Sequence, residues 1–322
     1  MTARPGRVLA RGIGVAVAAT LLALAGCGGP APATPGPATT APAIPGPATT
    51  GPAATGGPAS QASSPAGARP AAAREPAHTV VVVMENHSYA QIIGNPDAPF
   101  INDLARRGAL FTRSYAIGHP SQPNYLALFS GSTQGITDDS CPNRFTAPNL
   151  AADLLRAGRS FAGYAEGLPG PGSPACSAGD YARKHVPWAD FPTVPGSASL
   201  PFTSFPADYT RLPAVSFVIP DLCHDMHDCS VGTGDAWLRA RLGGYADWAM
   251  NHDSLLIVTW DEDDDSAGNH IATIFAGQRV KPGRYTEPVT HYSVLATIEA
   301  AYGLPRDGQA ATATPITDIW RS

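Results

Sequence analysis

No aromatic side chain of Phe, Tyr or Trp occurs before Tyr89, and 12 of the 33 prolines fall between Pro30 and Pro76, in a stretch otherwise made almost wholly of Ala, Gly, Thr and Ser. A segment of that composition cannot bury enough apolar surface to offset the entropy lost in ordering it. The fold must therefore come from the rest of the chain, one α/β domain over residues 78–322. Residues 1–76 carry five arginines against Glu75, a charge of +4; the whole chain carries −5, which leaves −9 for the remainder. A domain that acidic argues against nucleic acid or an anionic lipid surface as an electrostatic partner.

The N-terminal text reads as targeting rather than fold. Arg4, Arg7 and Arg11 precede an apolar run from Ile13 to Leu24, the pattern of a signal peptide, and the run is short for a bilayer span. Leu24-Ala25-Gly26-Cys27 resembles the lipobox of bacterial lipoproteins, which implies cleavage before Cys27 and acylation of its thiol. Residues 1–27 are then a lipoprotein signal peptide. Residues 28–77 are a disordered linker in which the hexapeptide Pro35–Thr40 recurs at Pro45–Thr50, a semi-stiff Pro/Ala/Thr spacer. The expected location is the outer side of the cell membrane, facing wall or exterior, with Cys27 as the lipid anchor. Setting Cys27 aside leaves Cys141, Cys176, Cys223 and Cys229, an even count that fits two disulfides in an exported chain. Three connectivities are open, of which Cys141–Cys176 with Cys223–Cys229 is favoured.

From Thr79 onward, short β-branched runs alternate with helical patterns. Strands are expected at 79–84, 109–115, 161–165, 214–219, 254–260 and 271–275; helices at 100–107, 121–129, 149–157, 235–251 and about 293–302. This alternation predicts a doubly wound, mostly parallel sheet. Ligands of such sheets bind beyond the carboxyl ends of the strands. Three strands end in polar clusters there: Glu85-Asn86-His87, Asp221 followed by His224 and His227, and Asp261-Glu262. Oxygen ligands and imidazoles gathered at one edge are what a divalent metal site requires.

Ser121 opens a helix that has Pro123 in its first turn, where free N–H groups favour an anion. Alone it reads as an N-cap serine. The Glu85-Asn86 and Asp261-Glu262 pairs change that reading, because they offer hard oxygens beside it. Asp263, Asp264 and Asp265 continue an acidic run and are expected on a solvated turn, as surface residues or a weak calcium contact. Among the other histidines, His252 complements a helix C-terminus, His78 lies at the linker junction and His185 in an irregular insertion; Trp237 and Trp248 are expected in the core.

Val82-Val83-Met84-Glu85-Asn86-His87-Ser88-Tyr89, Ser121-Gln122-Pro123-Asn124-Tyr125, Thr259-Trp260-Asp261-Glu262 and Thr290-His291-Tyr292-Ser293-Val294-Leu295 together resemble the bacterial phosphoesterase family. That family comprises acid phosphatases and phospholipases C of the alkaline-phosphatase-like superfamily. The resemblance implies an alkaline-phosphatase-like fold in which Glu85, Asn86, Asp261 and Glu262 bind a divalent cation together with the nucleophile oxygen of Ser121. It also implies histidines near the phosphate at His291 and His270, with His119 two residues before the nucleophile. The segment from Asp221 to Cys229 stands where two-metal superfamily members place further ligands, although its spacing departs from theirs. Asp221 and His227 are the candidates from it, His224 a lesser one.

The function so implied is hydrolysis of small-molecule or lipid phosphate esters, a monoesterase of the acid phosphatase type with a phosphoserine intermediate. Phospholipase relatives carry Phe-Asp after the Glu-Asn motif, whereas Tyr89-Ala90 stands here. A phospholipase C-like phosphodiesterase is the runner-up. A non-catalytic wall-anchored binding protein is the reading from another class. The Cys/Ser-x-Pro-x-Arg signature of sulfatases is absent.

Overall fold

The computed structural model describes residues 75–321, so the signal peptide, Cys27 and nearly all of the linker lie outside the described residues. Within them is a nine-stranded sheet of order β10-β2-β9-β8-β1-β7-β3-β6, with β11 also on β2. The strands are β1 Thr79–Met84, β2 Ala109–Tyr115, β3 Phe161–Ala165, β6 Ser199–Pro201, β7 Val215–Ile219, β8 Leu255–Trp260, β9 His270–Gly277, β10 Gly283–Tyr285 and β11 Val289–Thr290; β4 Ser177–Ala178 and β5 Tyr181–Ala182 form a separate hairpin. β1 lies at the centre, parallel to β7 and β8, while β9 runs antiparallel to both β8 and β2. The sheet is thus mostly parallel.

All six residues of β1 are buried, as a continuous Val run with no polar alternation requires of a strand covered on both faces. Val80, Val82 and Met84 pack with α2 (Pro99–Arg107) and α5 (Val231–Ala249); Val81 and Val83 pack with α3 (Ser121–Ser130), α4 (Leu150–Arg156) and α6 (His291–Ala301). One strand therefore joins the two cores of an αβα sandwich. A one-turn helix, α1 (Tyr89–Ile92), follows β1. Among the described residues no helix is long and apolar enough to cross a membrane.

α5 begins four residues earlier than its hydrophobic pattern suggests. Ser230 accepts the N–H of Thr233 and starts the helix ahead of Gly232 and Gly234, two poor helix formers. Gly234 has a packing reason: a Cβ there would lie 2.5 Å from Met226 Cγ, in the loop closed by Cys223–Cys229. Asp235, one residue on, accepts the N–H groups of Phe100 and Ile101 and so caps α2, which has no cap of its own. Both favoured disulfides, Cys141–Cys176 and Cys223–Cys229, are present.

The insertion between β3 and β7 is ordered by 3-10 turns and short strands rather than by long elements. Trp188 anchors it, lying against Gly163 of β3, where any Cβ would collide with the indole.

Away from the strand ends, Glu299 of α6 is buried with its Oε1 accepting the N–H of Asp307 at 2.9 Å. Burial, then the charge of Asp307, pushes its carboxyl up to about 8, and burial pushes Asp307 up to about 7. Raised carboxyls stabilise the fold below their unfolded values near 4 and lose that contribution as pH rises toward 7–8. Glu299→Gln keeps the acceptor and removes one titration. Its stability should therefore fall less than that of the parent between pH 5 and pH 8, by on the order of 1–3 kcal/mol, read as a smaller drop in melting temperature. Parallel melting curves for the two proteins would contradict this.

Candidate active site

The carboxyl ends of β1, β7 and β8 are adjacent in the sheet and deliver acids to one place. β1 runs into Glu85, fully buried, and Asn86, whose φ of +52° lies in the left-handed region that Asn tolerates better than most residues. That turn directs the Asn86 N–H to Asp261 Oδ1 at 3.1 Å. β8 runs into Asp261 and Glu262, both buried.

Ser121 is the first residue of α3, preceded by Pro120, and is 1% exposed. Its Oγ lies 3.1 Å from both Glu85 Oε2 and Glu262 Oε1 and can donate to either. The side-chain oxygen of Asn86 faces the same two carboxylate oxygens, at 3.1 Å from Glu262 and 3.3 Å from Glu85. Acceptors turned on acceptors repel; the contact is favourable only with a cation between them, or with the amide turned so that its nitrogen donates. Asp261 Oδ2, also buried, has no hydrogen-bond partner.

A second group adjoins this oxygen cage. Glu85 Oε1 takes a short hydrogen bond from Tyr125 Oη and lies 3.2 Å from His185 Nε2. His185 Nδ1 lies 3.4 Å from Asp225 Oδ2, and Glu85, His185 and Asp225 are all buried. One ligand atom of each lies within 4.8 Å of the others. Burial, then the charges of Asp261 and Asp225, raises Glu85 well above the carboxylate range. Burial pushes Asp225 and Asp261 each up to about 8 and raises Glu262. It lowers His185 well below the usual imidazole value. Four buried carboxyls pressed together in this way either hold protons or share a cation. Hard oxygens with one imidazole fit a divalent cation.

Of the candidate residues, Glu85, Asn86, Ser121, Asp261 and Glu262 are brought together. His119 joins them at the mouth, Nδ1 2.9 Å from Glu262 Oε2 and Nε2 within 3.3 Å of Asp263 and Asp265. His291 sits beneath, its Nε2 donating to the Asp261 carbonyl at 2.7 Å; burial lowers it to about 4, so the imidazole is neutral and holds the Asp261 turn in place. His227 borders the second group, its ring 6.1 Å from that of His185 and its Nδ1 on Asp228.

Two candidates are placed elsewhere. His270 starts β9 one residue before the expected strand and pairs in register with Tyr115. Its ring stacks on Tyr89 and Tyr115 and its Nε2 meets the Thr112 carbonyl, with no hydrogen bond or ion pair to the Ser121 group. Asp221 bonds His224, whose Nδ1 lies 2.9 Å from both Asp221 and Glu166, in a separate half-buried cluster with Trp237. There a ligand atom of each of Glu166, Asp221 and His224 lies within 4.8 Å of the others, close enough to share a cation. The loop turns back between them, Asp225 N–H donating to the Asp221 carbonyl, and so Asp225 rather than Asp221 comes under Glu85, whose N–H meets the Asp225 carbonyl at 2.9 Å.

Asp263 corrects the expectation of a wholly solvated acidic turn. It is buried, and its carboxylate accepts the N–H groups of Asp265, Ala267 and Asn269, which shapes the loop; Asp264 and Asp265 are exposed as expected. Asp225, His185, Tyr125 and Lys184 are the residues that sequence reasoning missed. Tyr125 had a signal, standing four residues after Ser121 on the same helix face. Lys184 Nζ lies 2.8 Å from Asp139 Oδ2. Burial lowers its pKa, but the bond and charge of Asp139 and the fields of Glu85 and Asp261 outweigh it and raise the ammonium overall.

The model of the Phosphoesterase family matches residues 95–305. The chain is 56% identical over 247 residues to a phosphatidylinositol-3-phosphatase of Mycobacterium tuberculosis, covering 76% of this chain and 83% of that one. It is 31% identical over 260 residues to an acid phosphatase of Aspergillus fumigatus, covering 74% of this chain and 57% of that longer one. A solved alkaline phosphatase superfamily protein from Vibrio parahaemolyticus shares the fold at TM-score 0.52 and 14% identity, over 76% of this chain and 71% of its own. With a serine set at a helix start among buried carboxylates on this alkaline-phosphatase-like sheet, the chain belongs to the phosphoesterase family, hydrolases acting on phosphoric ester bonds.

Proposed function

We propose that this protein is an exported, metal-dependent phosphomonoesterase working through a phosphoserine on Ser121. The observation that carries the reading is the Ser121 hydroxyl, shared by Glu85 and Glu262 at the N-terminus of α3 and faced by the Asn86 oxygen. Glu85, Asn86, Asp261 and Glu262 would hold the cation. When bound, it favours the ionised serine oxygen and offsets charge on the transferring group.

The chain's own residues do the rest. Ser121 Oγ forms a bond to phosphorus as the ester P–O bond breaks, and the departing alkoxide takes a proton. His119, half-exposed at the mouth and oriented by Glu262, Asp263 and Asp265, is the group placed to give it. The first-turn N–H groups of α3 meet negative charge on the phosphoryl oxygens. Water then cleaves the phosphoserine, with His119 taking the proton back. His291 acts through Asp261 as a positioning residue.

The similarity to a protein named phosphatidylinositol-3-phosphatase supports a monoester on a lipid headgroup as the substrate class. Residues 78–322 are the catalytic domain of this reading. Export and lipid anchoring at Cys27 rest on the N-terminal pattern, and the two disulfides agree with an oxidising compartment. The test is hydrolysis by the full chain of p-nitrophenyl phosphate, its bis ester, phosphorylcholine and a phosphatidylinositol phosphate. The monoesters should be the better substrates and a chelator should stop their turnover. Selective turnover of the diester would move the protein to the phosphodiesterases, and no turnover of any of them would leave a binding protein.

A further inference from the structure

Three consecutive residues of the insertion, Arg183–His185, occupy one 3-10 turn and tie it to the site by three routes. Arg183 pairs with Asp190 Oδ1 at 3.0 Å, and Asp190 Oδ2 accepts from the side chain of Gln122. His185 reaches Glu85 and Asp225. Lys184 bonds Asp139 Oδ2, while Asp139 Oδ1 accepts the backbone N–H of Gln122 at 2.9 Å.

Gln122 follows the nucleophile, so its N–H has no partner within α3 and is taken instead by Asp139. One carboxylate, that of Asp139, bridges this donor and an ammonium, the pair of groups an incoming phosphoryl oxygen would seek. The side chains of Lys184 and Asp139 are 22% and 28% exposed, whereas Ser121 is 1% exposed. The acids around Ser121 are buried and the Lys184 ammonium is partly open to solvent, so Lys184 offers its charge from the exposed edge of the group. A phosphate monoester carries a second negative charge on its outward oxygens near neutral pH, which a diester lacks. A cation on that side favours the monoester.

We propose that Lys184 is a substrate-binding residue whose ammonium meets the outward phosphoryl oxygens, held there by Asp139, and that it selects dianionic monoesters over diesters. This rests on the reading of Ser121 as the nucleophile. A Lys184 that only fastens the insertion would affect both ester classes alike.

The test uses the full chain and its Lys184→Ala, Lys184→Arg and Asp139→Asn variants. It reads kcat/KM on p-nitrophenyl phosphate and on bis(p-nitrophenyl) phosphate, calorimetric binding of inorganic phosphate, and the melting temperature. Lys184→Ala should lower monoester kcat/KM by about 10²-fold. Diester kcat/KM should change less than about threefold, and phosphate binding should weaken about tenfold or more. Lys184→Arg should recover part of the monoester preference, and Asp139→Asn, which loosens the ammonium, should fall between. Equal losses on both esters, or unchanged phosphate binding in a folded Lys184→Ala protein, would overturn the proposal, as would a parent enzyme that prefers the diester. If the parent cleaves neither ester, the phosphoserine reading fails, and phosphate binding to parent and variant alone decides for or against Lys184.

Discussion

Ser121→Ala should reduce turnover of p-nitrophenyl phosphate by about 10³-fold or more, because no other hydroxyl takes its place between Glu85 Oε2 and Glu262 Oε1. The loss should fall on kcat, with phosphate binding largely retained, since the first-turn N–H groups and the carboxylates that would hold the cation remain. The fold should survive. Removing one hydroxyl that served two buried carboxyls costs about 1–3 kcal/mol, a few degrees of melting temperature. Acid quenching of the parent enzyme during turnover should trap one phosphate per chain on Ser121, and the variant should trap none. A variant that keeps a tenth of the parent's rate would remove Ser121 from the chemistry.

The second large effect is expected from removing the divalent cation. Burial, with mutual repulsion, raises Glu85, Asp225 and Asp261 above the carboxylate range, the last two to about 8. In the cation-free protein such groups stabilise the fold below about pH 4, where the unfolded chain is also protonated, and that contribution fades as pH rises toward 8. A cation replaces those protons, so its stabilising effect grows with pH. At a hundredfold excess over its dissociation constant it contributes about 2.7 kcal/mol, or about 5–10 °C for a domain of this size. Chelation at pH 8 should therefore lower the melting temperature by that amount and turnover by at least about 100-fold, and added cation should restore both. At pH 5 the thermal shift should shrink. A chelated protein with the parent's melting temperature and rate at pH 8 would show that the cage holds protons rather than metal.

Much of the fold was legible because its signals are local. β1, β2 and β3 have the expected bounds; in β1 and β3 an apolar run flanked by polar residues specifies the limits without reference to anything distant. α5 was misjudged at its start, where one capping serine outweighs two glycines. The cage was legible for a related reason: Glu85-Asn86 and Asp261-Glu262 directly follow strands, and strand direction then says where they go. His185, Lys184 and Asp225 were not. They come from turns, which have no period to read, and their positions depend on long-range contacts: Trp188 against Gly163, Asp139 against Gln122, and the backbone pairing of Glu85 with Asp225. Asp221 and His270 show the same limit, since each stands beside the residue or strand end that matters and one turn of the backbone decides the outcome.

The Cys141–Cys176 bond has an evolutionary consequence. It joins segments 35 residues apart, a closure that removes about 4 kcal/mol of entropy from the unfolded chain. The side of the mouth that carries Lys184 and Asp139 is thus fastened to itself by a covalent link and to the nucleophile helix by polar contacts and by the packing of His185 on Tyr125 and Phe191 on Phe129. If Ser121 carries the chemistry and Lys184 the selectivity, the two sit on different segments of the chain. Changes of charge at Lys184 or Asp139, which are partly open to solvent, would then alter the choice of ester while the buried acids keep their spacing.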